Sequence, residues 1–220
     1  ARSKQTLDAV AARLGANALA VECDVAEQGQ VEALARAAVA RFGRIDTWVN
    51  NAGTGMYGRL DESPDADARR VFDVNFWGVV YGCRAFLPLL REHGEGHIVN
   101  TASAAALSGF IPTATPYVAS KFAILGLSEN LFHELAMTDP GIGVSVLCPA
   151  FVNTRMPFGE RNRPPGTHRV PVSCIARQNN CTGAGADHSS FWRWNCRRSD
   201  SGRSQRPNPH GAHCPRAGKP

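Results

Sequence analysis

Four short apolar runs alternate with longer stretches of helical spacing, and this alternation constrains the fold more than any other feature of the chain. Residues 19–23, 45–50, 97–102 and 143–148 have the length and side-chain character of strands. Between them, residues 26–42, 63–91 and 116–137 carry apolar positions at helical intervals, and residues 5–14 form a shorter helical piece. Parallel strands need a crossover of about a dozen residues or more, which a helix supplies. The pattern predicts an α/β fold with a doubly wound parallel sheet. Stop signals stand where helices should end, at Gly43 and at Asp139-Pro140-Gly141. Ser63 and Thr115 are placed to cap helices, with Pro116 at a first helical position, where its missing N–H and fixed φ cost nothing. Val31, Leu34, Ala38 and Phe42 are expected to share one buried face. No internal repeat is visible.

The last of these helical runs opens on Tyr117-Val118-Ala119-Ser120-Lys121. Tyr117 and Lys121 are four apart and so lie on one face, one turn from each other. A phenol with an ordinary pKa near ~10 is a poor proton donor and a worse base at neutral pH. An ammonium one turn away favours the phenolate and lowers that pKa, which makes Tyr117 a usable acid or base. The same spacing also describes an amphipathic helix with a rim tyrosine and a surface lysine. The neighbours must decide.

Asn51-Ala52-Gly53 follows the strand at 45–50, and Asn75 lies between Val74 and Phe76 inside a helical run, with Gly78 and Gly82 after it. Ser103 stands just past the strand at 97–102, fourteen residues ahead of Tyr117. Cys148-Pro149, Val152 and Thr154 come after the last strand. In this order the motifs of residues 1–156 resemble the short-chain dehydrogenase/reductase family of classical type. That family has a Rossmann-type doubly wound parallel sheet and a catalytic set of Asn, Ser, Tyr and Lys.

The resemblance implies an oxidoreductase that transfers hydride between NADP(H) and a small-molecule carbonyl or secondary alcohol. It implies that Tyr117 gives a proton to the substrate oxygen, or takes one in the reverse direction. Lys121 would lower the tyrosine pKa and bond the nicotinamide ribose, and Ser103 would hold the substrate oxygen. Asn75 would bond backbone, kink its helix and hold a water leading to Lys121. On the cofactor side it implies Asn51, Ala52 and Gly53 beside the adenosine, Asp24 and Val25 at the adenine ring, and Val152 and Thr154 at the carboxamide. Pro149-Ala150 departs from the family's Pro-Gly. Arg2 and Lys4 stand where an acid would bind the ribose hydroxyls of NAD; arginine suits a 2′-phosphate, so NADP is expected, with NAD the alternative. Residues 104–115, with Phe110 and Ile111, would wall the substrate. The helices around 72–90 and 117–135 would pair two copies into a homo-oligomer. Plainer readings stand beside these: Asp24 as a helix cap, Ser103 as a strand-end hydrogen bond, Asn75 as a buried amide.

The net charge of +5 comes from one end of the chain. Residues 157–220 hold eleven Lys/Arg against three Asp/Glu, while residues 1–156 hold thirteen against sixteen. Basicity therefore says nothing about partners of the domain. The 157–220 stretch is rich in Arg, Pro and Gly, lacks leucine and has no periodicity, so it is expected to be disordered. Its composition suggests an out-of-frame reading of a GC-rich gene, which sequencing the parent locus tests. Its arginines and Trp192 and Trp194 offer a nucleic-acid-binding alternative, but no recognised nucleic-acid fold accompanies them, and no Cys-x-x-Cys supports zinc. No nucleic-acid partner and no metal are expected. Cys23, Cys83 and Cys148 sit singly in apolar settings and read as buried thiols of a reducing, cytoplasmic compartment. No apolar run reaches the roughly 18 residues a membrane span needs. The family's first strand and Gly-rich turn would precede Ala1, and its last strand has no counterpart. The chain alone is therefore expected to be an inactive fragment.

Overall fold

A computed structural model of the chain describes residues 1–109, 111–150, 152, 153, 156 and 163. Its centre is a parallel sheet of three strands, β1 (Thr47–Asn50), β2 (Gly96–Thr101) and β3 (Ile142–Leu147), in that order. Thr47 pairs with His97 and Asn50 with Asn100; Gly96 pairs with Ile142 and Thr101 with Leu147. Helices α1 (Lys4–Leu14) and α2 (Gln28–Phe42) precede β1. Between β1 and β2 run α3 (Asp65–Phe72), a π-helical turn (Asp73–Trp77) and α4 (Gly78–His93). The short α5 (Ala105–Ser108) and the long α6 (Thr115–Thr138) join β2 to β3. The expected parallel sense of the strands is present.

The core lies where α4 and α6 meet the sheet. Phe86, Leu90, Ile98, Ile124 and Leu135 are all fully buried, which is where apolar area removed from water does most to hold the fold. Two glycines set how closely α4 rides. A Cβ at Gly82 would stand 2.7 Å from Trp48 Nε1 and run into the Asn50 side chain, and one at Gly78 would stand 2.8 Å from Val25 Cγ2. With no side chain there, the Trp48 and Phe86 rings stack with centroids 3.7 Å apart.

A buried polar chain crosses the sheet beneath this packing. Trp48 Nε1 donates to Asn50 Oδ1 (2.8 Å), Asn50 Nδ2 donates to Asn100 Oδ1 (2.8 Å), and Asn100 Nδ2 donates to Ser128 Oγ (3.0 Å). Ser128 Oγ donates to the Ile124 carbonyl (2.7 Å). A fully partnered network of this kind fixes strand register and the seat of α6 together, because any slip would orphan several buried groups.

Several local expectations fail for identifiable reasons. Residues 19–23 are extended but form no strand: a single backbone bond, Cys23 N–H to the Ala1 carbonyl (2.9 Å), ties them to a neighbour. On α2, which packs on α4, the buried positions are Val31 and Ala35, and Phe42 at the helix end is exposed. Ser63 does not cap α3; Pro64 takes that place while Ser63 Oγ donates to the Arg59 carbonyl (2.7 Å). Thr115 does not cap α6, which starts one residue earlier because Ala114 already accepts the first helical bond from Val118 N–H (2.9 Å). The helix expected over 63–91 is present, continuous from Asp65 to His93, with a π turn that falls on Asn75. Cys23 and Cys83 are buried, as read from the sequence, and burial pushes the Cys83 thiol up to about 11; Cys148 is only half-buried. The residues beyond Met156, Arg163 apart, lie outside the described residues, as does Phe110. Among the described residues no helix is long and apolar enough to cross a membrane, and no group of three or more His, Cys, Asp or Glu side chains could hold a metal.

Candidate active site

The C-terminal ends of β1 and β2 and the first turns of α6 bring the candidate residues together. Tyr117, Ser120 and Lys121 are buried on the inner face of α6, with Tyr117 and Lys121 each 4% exposed. Lys121 Nζ lies 5.8 Å from the centre of the Tyr117 ring and donates to the Thr101 carbonyl at the end of β2 (2.8 Å). Burial pulls the Lys121 ammonium down to about 8, against a small opposing pull from Cys148. At neutral pH it is still mostly charged, so a cation stands one turn from the phenol.

Asn75 is fully buried, and all of its amide is used. Its Oδ1 accepts from Thr54 N–H (2.8 Å), and its Nδ2 donates to the Thr54 carbonyl (2.9 Å) and to Ser120 Oγ (2.9 Å). Ser120 Oγ in turn donates to the Tyr117 carbonyl (2.7 Å). This one side chain locks the loop after β1 to the helix carrying Tyr117. The π turn is the physical counterpart: an extra residue in the helical turn aims Asn75 inward, a device common at functional sites. The buried-amide reading is therefore correct for Asn75, and it is also what ties the site together.

Asn51, Ala52 and Gly53 lie exposed at the end of β1. Asn51 Oδ1 accepts from Thr101 Oγ1 (3.2 Å). A Cβ on Gly53 would stand 3.6 Å from Lys121 Nζ and 3.7 Å from Asn75 Oδ1, so anything longer than a methyl would grow into the space beside the lysine. Next to it, a Cβ on Gly55 would contact the Tyr117 ring (3.6 Å) and the Tyr57 hydroxyl (3.8 Å). Burial, then the neighbouring Tyr117, push the Tyr57 phenol above its ordinary value, so it stays neutral. Met56, Val71, Ala105, Ala114 and Tyr117 form one apolar cluster, with Tyr57, Ile111, Val118 and Met156 against it.

Ser103 is buried just past β2, and its Oγ accepts from Ala105 N–H (3.2 Å), the local bond that its plainer reading anticipates. Asp24 behaves similarly: Oδ1 accepts from Ala26 N–H (3.1 Å) while Oδ2 pairs with Arg70 of α3 (2.7 Å). Burial raises its carboxyl, but Arg70, the Ala26 bond and the nearby Arg2 outweigh that and hold it below the usual carboxylate range. Val25 packs on Gly78. Arg2 and Val152 are exposed, and Thr154 is outside the described residues. Thr54, Tyr57, Thr101 and Ser120 belong to the site but were not singled out in the sequence. Ser120 and Thr54 adjoin chosen residues, which was the available signal. Thr101 contributes a backbone carbonyl, and no side-chain pattern reveals that.

An open glycine turn and a tyrosine and lysine one turn apart stand together at the carboxyl edge of the parallel strands, where open α/β sheets bind ligands. The short chain dehydrogenase family model matches residues 1–163, and the chain belongs to that family. The putative oxidoreductase SadH of Mycobacterium tuberculosis is 40% identical over 145 residues, covering 66% of this chain and 52% of SadH. A short-chain dehydrogenase/reductase from Burkholderia phymatum, solved in complex with NAD, superposes with a TM-score of 0.72 at 37% identity, over 82% of this chain and 66% of that one. A gluconate 5-dehydrogenase from Burkholderia cenocepacia, solved with NADP and tartrate, gives 0.64 at 30% identity, over 71% and 61%. The chain spans about half the length of the curated relatives it matches.

Proposed function

We propose that the site transfers hydride between a nicotinamide cofactor, NADP(H) in preference to NAD(H), and a carbonyl or secondary alcohol. The observation that carries this is the meeting of Lys121 Nζ and Asn75 Oδ1 at the open turn of Gly53, one helical turn from Tyr117. The residues present suit such a cofactor: Gly53 leaves a cradle beside a cation, Asn51 and Ala52 are open, and Arg2 lends positive charge near Asp24. A bound nicotinamide supplies or takes the hydride.

The chain's own residues do the rest. Tyr117 gives the substrate oxygen its proton in reduction and recovers it in oxidation. Lys121, cationic below about 8, stabilises the phenolate left behind and offers its ammonium to the ribose. Ser103 holds the substrate oxygen, and Asn75 keeps Tyr117 and the Gly53 turn in fixed relation, with a water passing protons toward Lys121. Asp24 and Val25 meet the adenine, and Val152 and Thr154 the carboxamide. The apolar wall of Met56, Tyr57, Ile111 and Met156 favours an uncharged substrate. Trp77, Phe122 and Phe132, between 42% and 50% exposed, leave apolar surface for a second copy of the chain.

Titration of NADPH fluorescence and ketone-dependent NADPH oxidation, both with the chain extended to the full length of its relatives, test the reading. Tyr117→Phe should reduce turnover by at least roughly 10³-fold while NADPH affinity stays within about threefold, because only the proton donor is lost. No binding of NADPH or NADH would overturn the proposal. Equal loss of binding and turnover in Tyr117→Phe would overturn the role given to the tyrosine.

A further inference from the structure

The geometry points to Asp67 and Arg163 as a buried clasp that positions Tyr57 beside Tyr117 on the substrate side of the site. Asp67 sits in the first turn of α3 and Arg163 lies beyond β3, 96 residues away, yet their side chains are only 4% and 7% exposed and form an ion pair. Burying two charges is costly, and one that loses its partner is costlier still, so such a pair marks a place where two segments are held in one arrangement. The second nitrogen of the guanidinium does more than neutralise. Arg163 Nη2 reaches the Tyr57 carbonyl at 3.4 Å, so one planar group joins α3 to the loop carrying Tyr57.

That loop is tied again one residue on. Gly58 N–H donates to the Thr113 carbonyl (2.8 Å). Thr113 has φ of 64°, alone among the described non-glycine residues in being positive, which is a strained conformation for a β-branched side chain. Strain of that kind persists only where the surroundings over-determine the backbone. Here Tyr57-Gly58 is gripped from the Arg163 side and from the Thr113 side, and Thr113 is four residues before Tyr117. One turn along α3 from Asp67, Val71 is fully buried in the cluster that contains Met56 and Tyr117, and Met156 packs on it from the chain beyond β3. The clasp therefore couples α3, the Tyr57 loop and Arg163 at one wall, several residues away from the Gly53 turn. Asp67 and Arg163 are positioning residues: they set the wall a substrate meets and leave the nicotinamide side alone.

The kinetic part of this inference rests on the oxidoreductase reading; the structural part does not. Two variants of the full chain separate the possibilities. Arg163→Met leaves Asp67 buried without its partner, whereas the double variant Asp67→Leu with Arg163→Met replaces the pair by apolar groups of similar size, a change a core usually tolerates. Hydrogen exchange at the Gly58 amide should accelerate about tenfold in both variants, because both lose the link to the Tyr57 carbonyl. With the double variant placed in a chain extended to the full length of its relatives, KM for an apolar ketone should rise about fivefold, with KM for NADPH and kcat each within about twofold. If Arg163→Met does not fold, the double variant alone decides. Wild-type exchange at Gly58 in a folded double variant would overturn the clasp and reduce the pair to packing. Equal rises in both KM values would overturn its assignment to the substrate side. If the extended wild-type chain binds neither NADPH nor NADH, the oxidoreductase reading falls while the exchange measurement still decides the clasp.

Discussion

The first nineteen residues and the block from β1 to β3 are held in opposite ways. Helix α1 buries no residue at all, and Val10, Leu14 and Leu19 are 46%, 65% and 42% exposed. The later block buries Phe86, Leu90, Ile98, Ile124 and Leu135 completely and runs a closed polar chain from Trp48 to Ser128 through the same interior. The acid–base candidates Asn75, Tyr117 and Lys121 belong to the tightly packed block. Of the adenine-side candidates, Arg2 lies in the loosely held stretch, while Asp24 and Val25 follow the buried Cys23 and are tied by the Asp24–Arg70 pair and the Val25–Gly78 contact. Proton transfer tolerates little displacement, whereas a nucleotide edge can be gripped by an element that adjusts. Rigidity is concentrated at the acid–base candidates.

The widest gap between the two regions should appear on deleting a large apolar side chain from each. Phe86→Ala removes a fully buried ring that stacks on Trp48 and should cost about 3–5 kcal/mol. Leu14→Ala, at a position two-thirds exposed, should change stability by no more than about 0.5 kcal/mol. Urea denaturation curves check both. Losses of similar size would erase the contrast.

How much of this contrast was legible in the sequence depends on the element. Strands β1 to β3 and helices α2, α4 and α6 could be read because each carries one strong period over several residues, and their parallel order followed from crossover length. Residues 19–23 have the same apolar character, but a strand exists only through its neighbours, and one backbone bond does not make a ladder. The π turn at Asn75 was invisible for a related reason: it is imposed by the Thr54 and Ser120 partners, which lie 21 and 45 residues away. Tyr117, Lys121 and Asn75 could be singled out because their order along the chain is a family pattern. Thr101, which holds Lys121 through its carbonyl, carries no such mark.

Polar truncations sharpen the comparison next. Asn75→Ala strips partners from Thr54 N–H, the Thr54 carbonyl and Ser120 Oγ, and should cost about 2–4 kcal/mol once some of these groups recruit water. Asn17→Ala, on an exposed 3₁₀ turn before β1, should be nearly neutral. Thermal melts of the two variants give the test; an Asn75→Ala protein as stable as the parent would mean that the lock between the Gly53 turn and α6 is not carried by that amide.

Lys121 makes the same region pH-sensitive. Its ammonium falls from an ordinary 10.5 to about 8 on burial, so the unfolded chain holds more protons than the folded one between those values. Stability should therefore rise with pH from about 8 to about 10.5, by roughly 3 kcal/mol, and the penalty for burying the charge is fully present below 8. Lys121→Met removes that penalty but leaves the Thr101 carbonyl without its donor. It should be more stable than the parent by about 1–2 kcal/mol at pH 7, lose that advantage toward pH 10.5, and be inactive. Denaturation at a series of pH values is decisive here: parallel pH profiles for parent and variant would show that the lysine is not desolvated in the folded protein.

The smallest expected effect probes the tie just beyond the looser stretch. Asp24 and Arg70 are 23% and 19% exposed, buried enough for their pairing to count and open enough for water to screen it. Arg70→Ala should therefore cost about 1 kcal/mol at pH 7. The sign of its pH dependence follows from Asp24. Burial alone would raise that carboxyl, but Arg70 and the Ala26 N–H bond depress it in the folded protein. Its contribution is present above the unfolded carboxylate value and fades as pH falls through the folded one. The parent and Arg70→Ala curves should accordingly converge in acid. Salt gives an independent check: ~1 M NaCl should remove much of the difference, because a pair this near the surface is screened over a few ångströms. Adenine-nucleotide affinity is the functional readout, since a carboxylate released from Arg70 no longer points in one direction. If 5′-AMP binds Arg70→Ala and the parent equally while the stability difference is as expected, then Asp24 serves only to fasten residues 24–26 to α3, and the adenine edge must be held by something else.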